Sequence, residues 1–524
     1  MTKSRVIFRR VLLGLNSGKM NNLFYEDVIV GSGPNGWAAA HGVWARNGQP
    51  LILDIGNSTS SSIGESVVSD PKFIPKTLFG QNFMYRFPVS DLGLSMPEST
   101  VPVSGALGGF STVWGSGIQP VSHKDLNGMP EWCSRDWMEA SLKLLERIEF
   151  LGRDDLLSMR DPWPISPHDE VVLSDRFQKI LSMADKKLFE SSGRLAYGSP
   201  RLAIRGSSDQ SRDGACTLCG KCMTGCAENS IFDSGRELLK DMQVNGGRHL
   251  RALVLSVDLV RSGELSGKIR LLIQHDDSSQ SFVFAERVYL AAGPIGTPLL
   301  LQRSGLITKE IVINDSQMFY GAFVTFRRSF RSKNFMTTSQ GYFSTGLTTN
   351  FEDEFSMSVY ESTDDFKIRF RALFPKPFRW LGKILSPLTR QIVPGIGFLS
   401  QDVSGSMVLS TQDLNSQLTL SANTMTNNAI RSANKRIRKS GRKIGLYMIP
   451  NPLAKANIGA GFHAGASLPM GDAPDNQVNW QGCLKEYEGI YLVDATSLPR
   501  IKAGSHTFMA MANAYRIAAA SGKK

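Results

Sequence analysis

The sequence predicts an α/β fold, with a Rossmann-like domain on a parallel sheet joined to a second domain on an antiparallel sheet. Three observations carry this. A strand, a glycine-rich turn, a helix and a second strand follow one another at 25–54. Phe-, Thr- and Ser-rich strand-like runs recur through 311–450, as at 340–349 and 404–421. A short strand at 490–493 and an Ala-rich helix at 507–520 close the pattern. The 524 residues also exceed the length at which a single core stops growing, about 250–300 residues, so two domains are expected.

The first unit begins at Tyr25-Glu26-Asp27, which leads into the apolar run Val28-Ile29-Val30. Gly31-Ser-Gly33-Pro-Asn-Gly36 follows, then a helix over Trp37–Asn47 and a strand Pro50–Asp54 ending on an acid. Each glycine has a physical task. Gly31 permits the tight turn, Gly33 lets backbone approach a pyrophosphate, and Gly36 lets helix and strand pack closely. Phosphate then rests on free N–H groups at the helix N-terminus. Asp54 lies where a carboxylate can accept ribose hydroxyls. The unit reads as dinucleotide-binding and does not by itself separate FAD from NAD.

Further along, 56–100 reads as loop and Gly105–Gly117 as a second glycine-rich segment. Helical periodicity runs over Trp137–Leu151, alternating strands fill 250–292, and Pro298–Arg303 is helical. No internal repeat is evident.

Composition narrows the class. Apolar residues make up 41% and charged residues 20%, ordinary for a globular protein. No apolar stretch is long enough to span a bilayer. The basic start, 1–19, lacks the apolar core and cleavage site of a signal peptide, and Met20 is an alternative start. Between Phe366 and Gly471 the chain carries 15 Lys or Arg against Asp402 and Asp413, which is +13, so the rest of the +12 chain sums to −1. Two clusters, 366–400 and Arg431–Lys443, each hold seven basic residues and no acid. They read as a solvated face or a membrane-surface contact through 366–443. No nucleic-acid module accompanies them. Clustered cysteines without a secretion signal point to a reduced, cytoplasmic setting, with the membrane surface as an option.

Cys216, Cys219, Cys222 and Cys226 have the spacing of iron–sulfur ligation, with Ala227 where a Pro is usual. An iron–sulfur cluster, zinc and a metal-free thiol knot all stay open.

Five segments resemble the glucose–methanol–choline oxidoreductases, FAD enzymes acting on alcohols. They are GSGPNG at 31–36, Gly108-Gly109-Phe-Ser-Thr-Val-Trp114-Gly115, LAAGPIGTPLLLQRSGL at 290–306, FHAGASLPMG at 462–471, and VDATSLPRIKAGSHTFMAMANAYRIA at 493–518. The resemblance implies that FAD occupies the first domain, with Gly108 and Gly109 in the loop crossing it. It places Gly293 and Thr297 near the adenosine half, and Asp494 and Ala495 beside the pyrophosphate and flavin. It divides the chain into an FAD domain at 20–130, 246–310 and 456–524, a helical, Cys-rich insertion at 131–245, and a substrate domain at 311–455.

Hydride leaves a CH–OH carbon only if the hydroxyl proton also leaves, so a base is needed, and histidine suits neutral pH. Of seven histidines, only His463 and His506 lie in the matching segments. His506 is the favoured base and His463 its partner. Ala466 and Ser467 depart from the family's Gly and Thr after His463. The expected reaction takes an alcohol or sugar-like substrate and passes electrons to oxygen, a quinone or an acceptor protein. A flavin lyase or isomerase without net oxidation, and a non-catalytic FAD-fold protein, are the alternatives.

Overall fold

The computed structural model describes residues 23–56, 92–97, 101–122, 124–155, 157, 163–188, 195–220, 222, 226, 228–326, 334–345, 352, 354–362, 390–412, 415–450 and 454–522. The basic start with Met20, most of 56–100, His123, Ala227 and the basic stretch as far as 389 lie outside the described residues.

Seven helices are named in chain order. They are α1 (Pro34–Trp44), α2 (Glu131–Leu145), α3 (Asp175–Lys187), α4 (Ser234–Asn245), α5 (Gly293–Arg303), α6 (Thr426–Ile444) and α7 (Thr507–Ala520).

The first sheet has seven strands. Arg248–Arg251, Leu51–Asp54, Leu23–Val30 and Gln280–Leu290 lie side by side in parallel. Ile490–Leu492 adds in parallel along the last of these, beside the antiparallel strands Ile269–Gln274 and Leu253–Leu259. Val28, Ile29, Leu51, Ile52 and Leu53 are buried on both faces, as the continuous apolar runs of a covered parallel sheet require. The helices α1 and α7 cross so closely that a Cβ on Gly42 would lie 2.5 Å from the Tyr515 carbonyl oxygen.

The second sheet has six antiparallel strands in the order Tyr447–Met448, Met318–Val324, Ile392–Leu399, Phe355–Tyr360, Ser339–Ser344 and Ala196–Gly198. Phe319, Phe323, Phe343, Met357 and Val393 form its buried face, in one core with Phe177 and Ile180 of α3 and Ile430 and Ile437 of α6. A third sheet joins Ala464–Gly465, Ile311–Asp315, Ser406–Gln412, Asn415–Ser421 and Leu94–Ser95. The expected α/β class, with parallel and antiparallel sheets, is therefore the observed one.

Within the strand-like 311–450, residues 426–444 form a helix of 19 residues. Ile430, Ala433, Ile437, Gly441 and Ile444 recur at intervals of three and four and are buried. The basic side chains between them carry the charge without disturbing that period. The other boundaries shift by a few residues, and α5 starts at Gly293 rather than Pro298.

Candidate active site

A large cavity opens at the carboxyl ends of the parallel strands, where α/β sheets bind ligands. Its empty space is about 1570 Å³ including the mouth, above the roughly 300–1,000 Å³ of ordinary small-molecule pockets. Gly31, Gly33, Asn35, Asp54, Gly109, Gly293, Ala495 and His506 all line it. Segments hundreds of residues apart thus meet on one wall.

The glycine turn is held by backbone geometry. Gly31 has φ +107°, and a Cβ there would meet the Ala291 carbonyl oxygen at 2.4 Å. A Cβ on Gly36 would lie 1.9 Å from the Gly31 oxygen, so helix and strand touch there. At Gly33 nothing lies within 4 Å of an added Cβ, which leaves the backbone open to the cavity. The N-cap residues of α1, α5 and α7 are Gly33, Ala292 and His506, and none of them caps its helix through its own side chain. The first residues of all three helices line the same cavity, and at α5 the Gly293 N–H is taken by Asp494, which leaves α1 and α7 as the starts without a side-chain acceptor.

The remaining predicted residues brace this wall. Asp494 Oδ2 accepts from Gly293 N at 2.8 Å and from the Thr297 hydroxyl at 2.5 Å, tying the closing segment to the middle turn. Burial pushes the Asp494 carboxyl up, against these donors. Thr297 and Asp494 are buried behind the wall. Gly108 N donates to Ser32 Oγ at 2.8 Å. Asp54 lines the cavity, but its oxygens already accept from Ser32 N and Ser32 Oγ, both at 2.7 Å, and from Gly56 N at 2.6 Å. Burial raises its carboxyl too.

His463 and His506 come together, ring centroids 5.5 Å apart and planes at 71°. Only His506 lines the cavity, while His463 packs on Phe398 at 4.2 Å. Burial lowers His506 to about 4, helped by the charge of Lys502 and opposed by main-chain groups at Ala464 and Gly504. Burial lowers His463 to about 3, with His506 adding to it. Both rings are therefore neutral at neutral pH. The Nδ1 atoms of both are buried without a hydrogen-bond partner among the described residues.

Sequence reasoning passes over several supports. Ser234 Oγ donates to the carbonyls of Ser32 and Gly108, each at 3.0 Å, and contacts Ser111 Oγ at 2.9 Å. Its only sequence signal is Asp233, the N-cap of α4. Asp125 and Glu354, which hold Lys502 and Ala503 in the loop before His506, lie outside the five matching segments.

The cysteines stand apart from this cavity. Cys216 is buried, Cys219 exposed, and Cys222 and Cys226 half-buried. Burial, then the neighbouring thiols, push Cys216 up to about 11. Cys226 Sγ accepts from Ser230 N at 3.2 Å, and Cys222 N donates to Thr337 Oγ1 at 3.1 Å. Among the described residues no group of three or more His, Cys, Asp or Glu is arranged to hold a metal.

Fold and cavity together define an α/β protein with a large cavity beside a histidine pair. Comparison with protein-family models and with curated protein sequences gives no match. Among solved structures the chain is similar to the crystal structure of pyridoxine 4-oxidase from Mesorbium loti, with a TM-score of 0.58 over 94% of this chain and 98% of that one, at 16% identity. At that identity the likeness speaks for a shared fold over nearly the whole length of both chains.

Proposed function

We propose that the protein is an FAD-dependent oxidoreductase of the glucose–methanol–choline type, taking hydride from the CH–OH group of an alcohol or sugar-like substrate. The observation that carries this is the meeting of the Gly31 turn, the Gly293 turn, Ala495 and His506 around one cavity.

The residues present fit FAD. The open backbone at Gly33 and the uncapped starts of α1 and α7 suit a pyrophosphate and an electron-rich ring. Asn35 Oδ1 is buried without a partner among the described residues and is free to accept from the cofactor. When bound, FAD supplies the hydride acceptor. His506 is neutral, faces the cavity and has an unpartnered Nδ1, so it can take the substrate hydroxyl proton. His463, behind it, packs on Phe398 on one side and against the His506 ring on the other. Apolar lining from Phe110, Phe462 and Ala464 keeps water from the proton acceptor.

An absorbance spectrum of the purified protein, followed by anaerobic mixing with a panel of alcohols and sugars, tests this. Expected are flavin bands that bleach with one substrate class and return on adding a quinone or oxygen. Protein that takes up no flavin ends the reading. Bands that stay oxidised during turnover support a lyase or isomerase instead.

A further inference from the structure

We infer that α6 and the aromatic pair at its C-terminal end form a docking face for an anionic membrane surface. The inference is independent of the proposed reaction.

Over its 19 residues α6 carries Arg431, Lys435, Arg436, Arg438, Lys439, Arg442 and Lys443 and no acid. Its apolar stripe is buried against the second sheet and α3. The opposite side leaves Arg431, Lys435, Lys439, Arg442 and Lys443 exposed. Residues 431, 435, 439 and 443 are four apart and so share one row on the helix. No ion pair neutralises these five among the described residues. The adjacent α3 exposes Lys186 and Lys187, while its acids Asp175 and Asp185 are half-buried.

The row ends beside two exposed rings. Gly445 caps α6 and the chain turns into the edge strand at Tyr447, which pairs with Val324. Tyr447 is 42% exposed and Phe326 is 74% exposed, with ring centroids 5.6 Å apart. Such rings in water are poorly placed unless something apolar receives them. An acidic protein or a polyanion would meet the charges and leave Phe326 wet. A bilayer with anionic headgroups answers both features, with the ammonium and guanidinium groups at the phosphates and the two rings at the headgroup–acyl boundary.

Co-sedimentation of the full chain with vesicles tests the proposal, using phosphatidylcholine alone and phosphatidylcholine with about 30% phosphatidylserine, a charged-leaflet composition. Binding is expected to the anionic vesicles only, and to fall as salt shortens the screening length from about 10 Å to 3 Å. The variant K435Q/K439Q/K443Q should lose about 100-fold in partitioning, roughly fivefold per charge. F326S/Y447S should weaken binding with the charges intact, and both variants should keep the wild-type circular dichroism and cofactor content. Equal binding to neutral vesicles, no binding to either, or anionic binding unmoved by F326S/Y447S while duplex DNA binds as well, would each overturn it.

Discussion

Lys502 Nζ lies 3.0 Å from Asp125 Oδ2 and 3.1 Å from the Pro120 carbonyl oxygen, four residues ahead of His506. The whole approach to that histidine is stapled. Arg500 pairs with both oxygens of Asp402, Ile501 N donates to Gln401, Ala503 N to Glu354, and the Ser505 hydroxyl to the Gly117 carbonyl. The loop that sets the His506 ring is thus fixed by three other segments, at 117–125, at Glu354 and at 401–402. Lys502→Met should therefore act on His506 while flavin stays bound. The Lys502 charge disfavours protonated His506, so its removal raises the pKa of the base. A base works above its pKa, so the acid limb of the pH profile of kcat/KM should move upward. An unmoved limb would leave Lys502 a purely structural residue.

His506→Ala should slow substrate-driven cofactor reduction by about 10²- to 10⁴-fold, the span of general base catalysis. Stopped-flow absorbance under anaerobic conditions reads this directly. His463→Ala should cost less, because His463 is not part of the cavity wall and acts through His506 and Phe398. Equal losses would mean that the two rings share the proton.

Much of this site is legible in the sequence because its parts are local. The Gly31–Gly36 turn, the Gly293 turn and the Thr507 helix start are short motifs whose spacing expresses their geometry. The helix α6 is equally local, since its buried residues keep a helical period. What is not legible depends on side chains that meet only after folding. Ser234 reaches Ser32 across 202 positions and Lys502 reaches Asp125 across 377. No periodicity encodes such pairs. Asp54 shows a subtler limit. Its place on the cavity wall follows from the strand end, yet its bonds to Ser32 and Gly56 depend on how the turn closes.

Asp494→Ala should release the cofactor more readily than it unfolds the protein. The change leaves Gly293 N and the Thr297 hydroxyl without their acceptor. Each buried unsatisfied group costs about 1–3 kcal/mol. The loss falls on the junction between the middle turn and the closing segment, both of which border the cavity. Flavin retained after gel filtration measures it. Retention equal to wild type, with an unchanged melting temperature, would show that the junction is redundant.

Asp27 offers a test of the sheet itself, away from the reaction. It is fully buried in the strand Leu23–Val30 and accepts from Arg46, from Arg287 Nε at 2.8 Å and from the Tyr289 hydroxyl at 3.0 Å. Burial alone would raise its carboxyl, but Arg287 and Arg46 outweigh that and hold it below the ordinary value of 3.8. A carboxyl lowered in the folded state adds stability above its unfolded pKa and loses it as pH falls through the folded value. Asp27→Asn removes that contribution and leaves two guanidinium groups facing a neutral amide. The expected cost near neutral pH is about 3–5 kcal/mol, that of breaking a buried ion pair. The difference from wild type should shrink as pH falls below 3.8, where the unfolded carboxyl takes up its proton before the folded one does. Denaturant melts at neutral pH and near pH 3 measure both, and a cost independent of pH would mean that packing, rather than charge, makes Asp27 necessary.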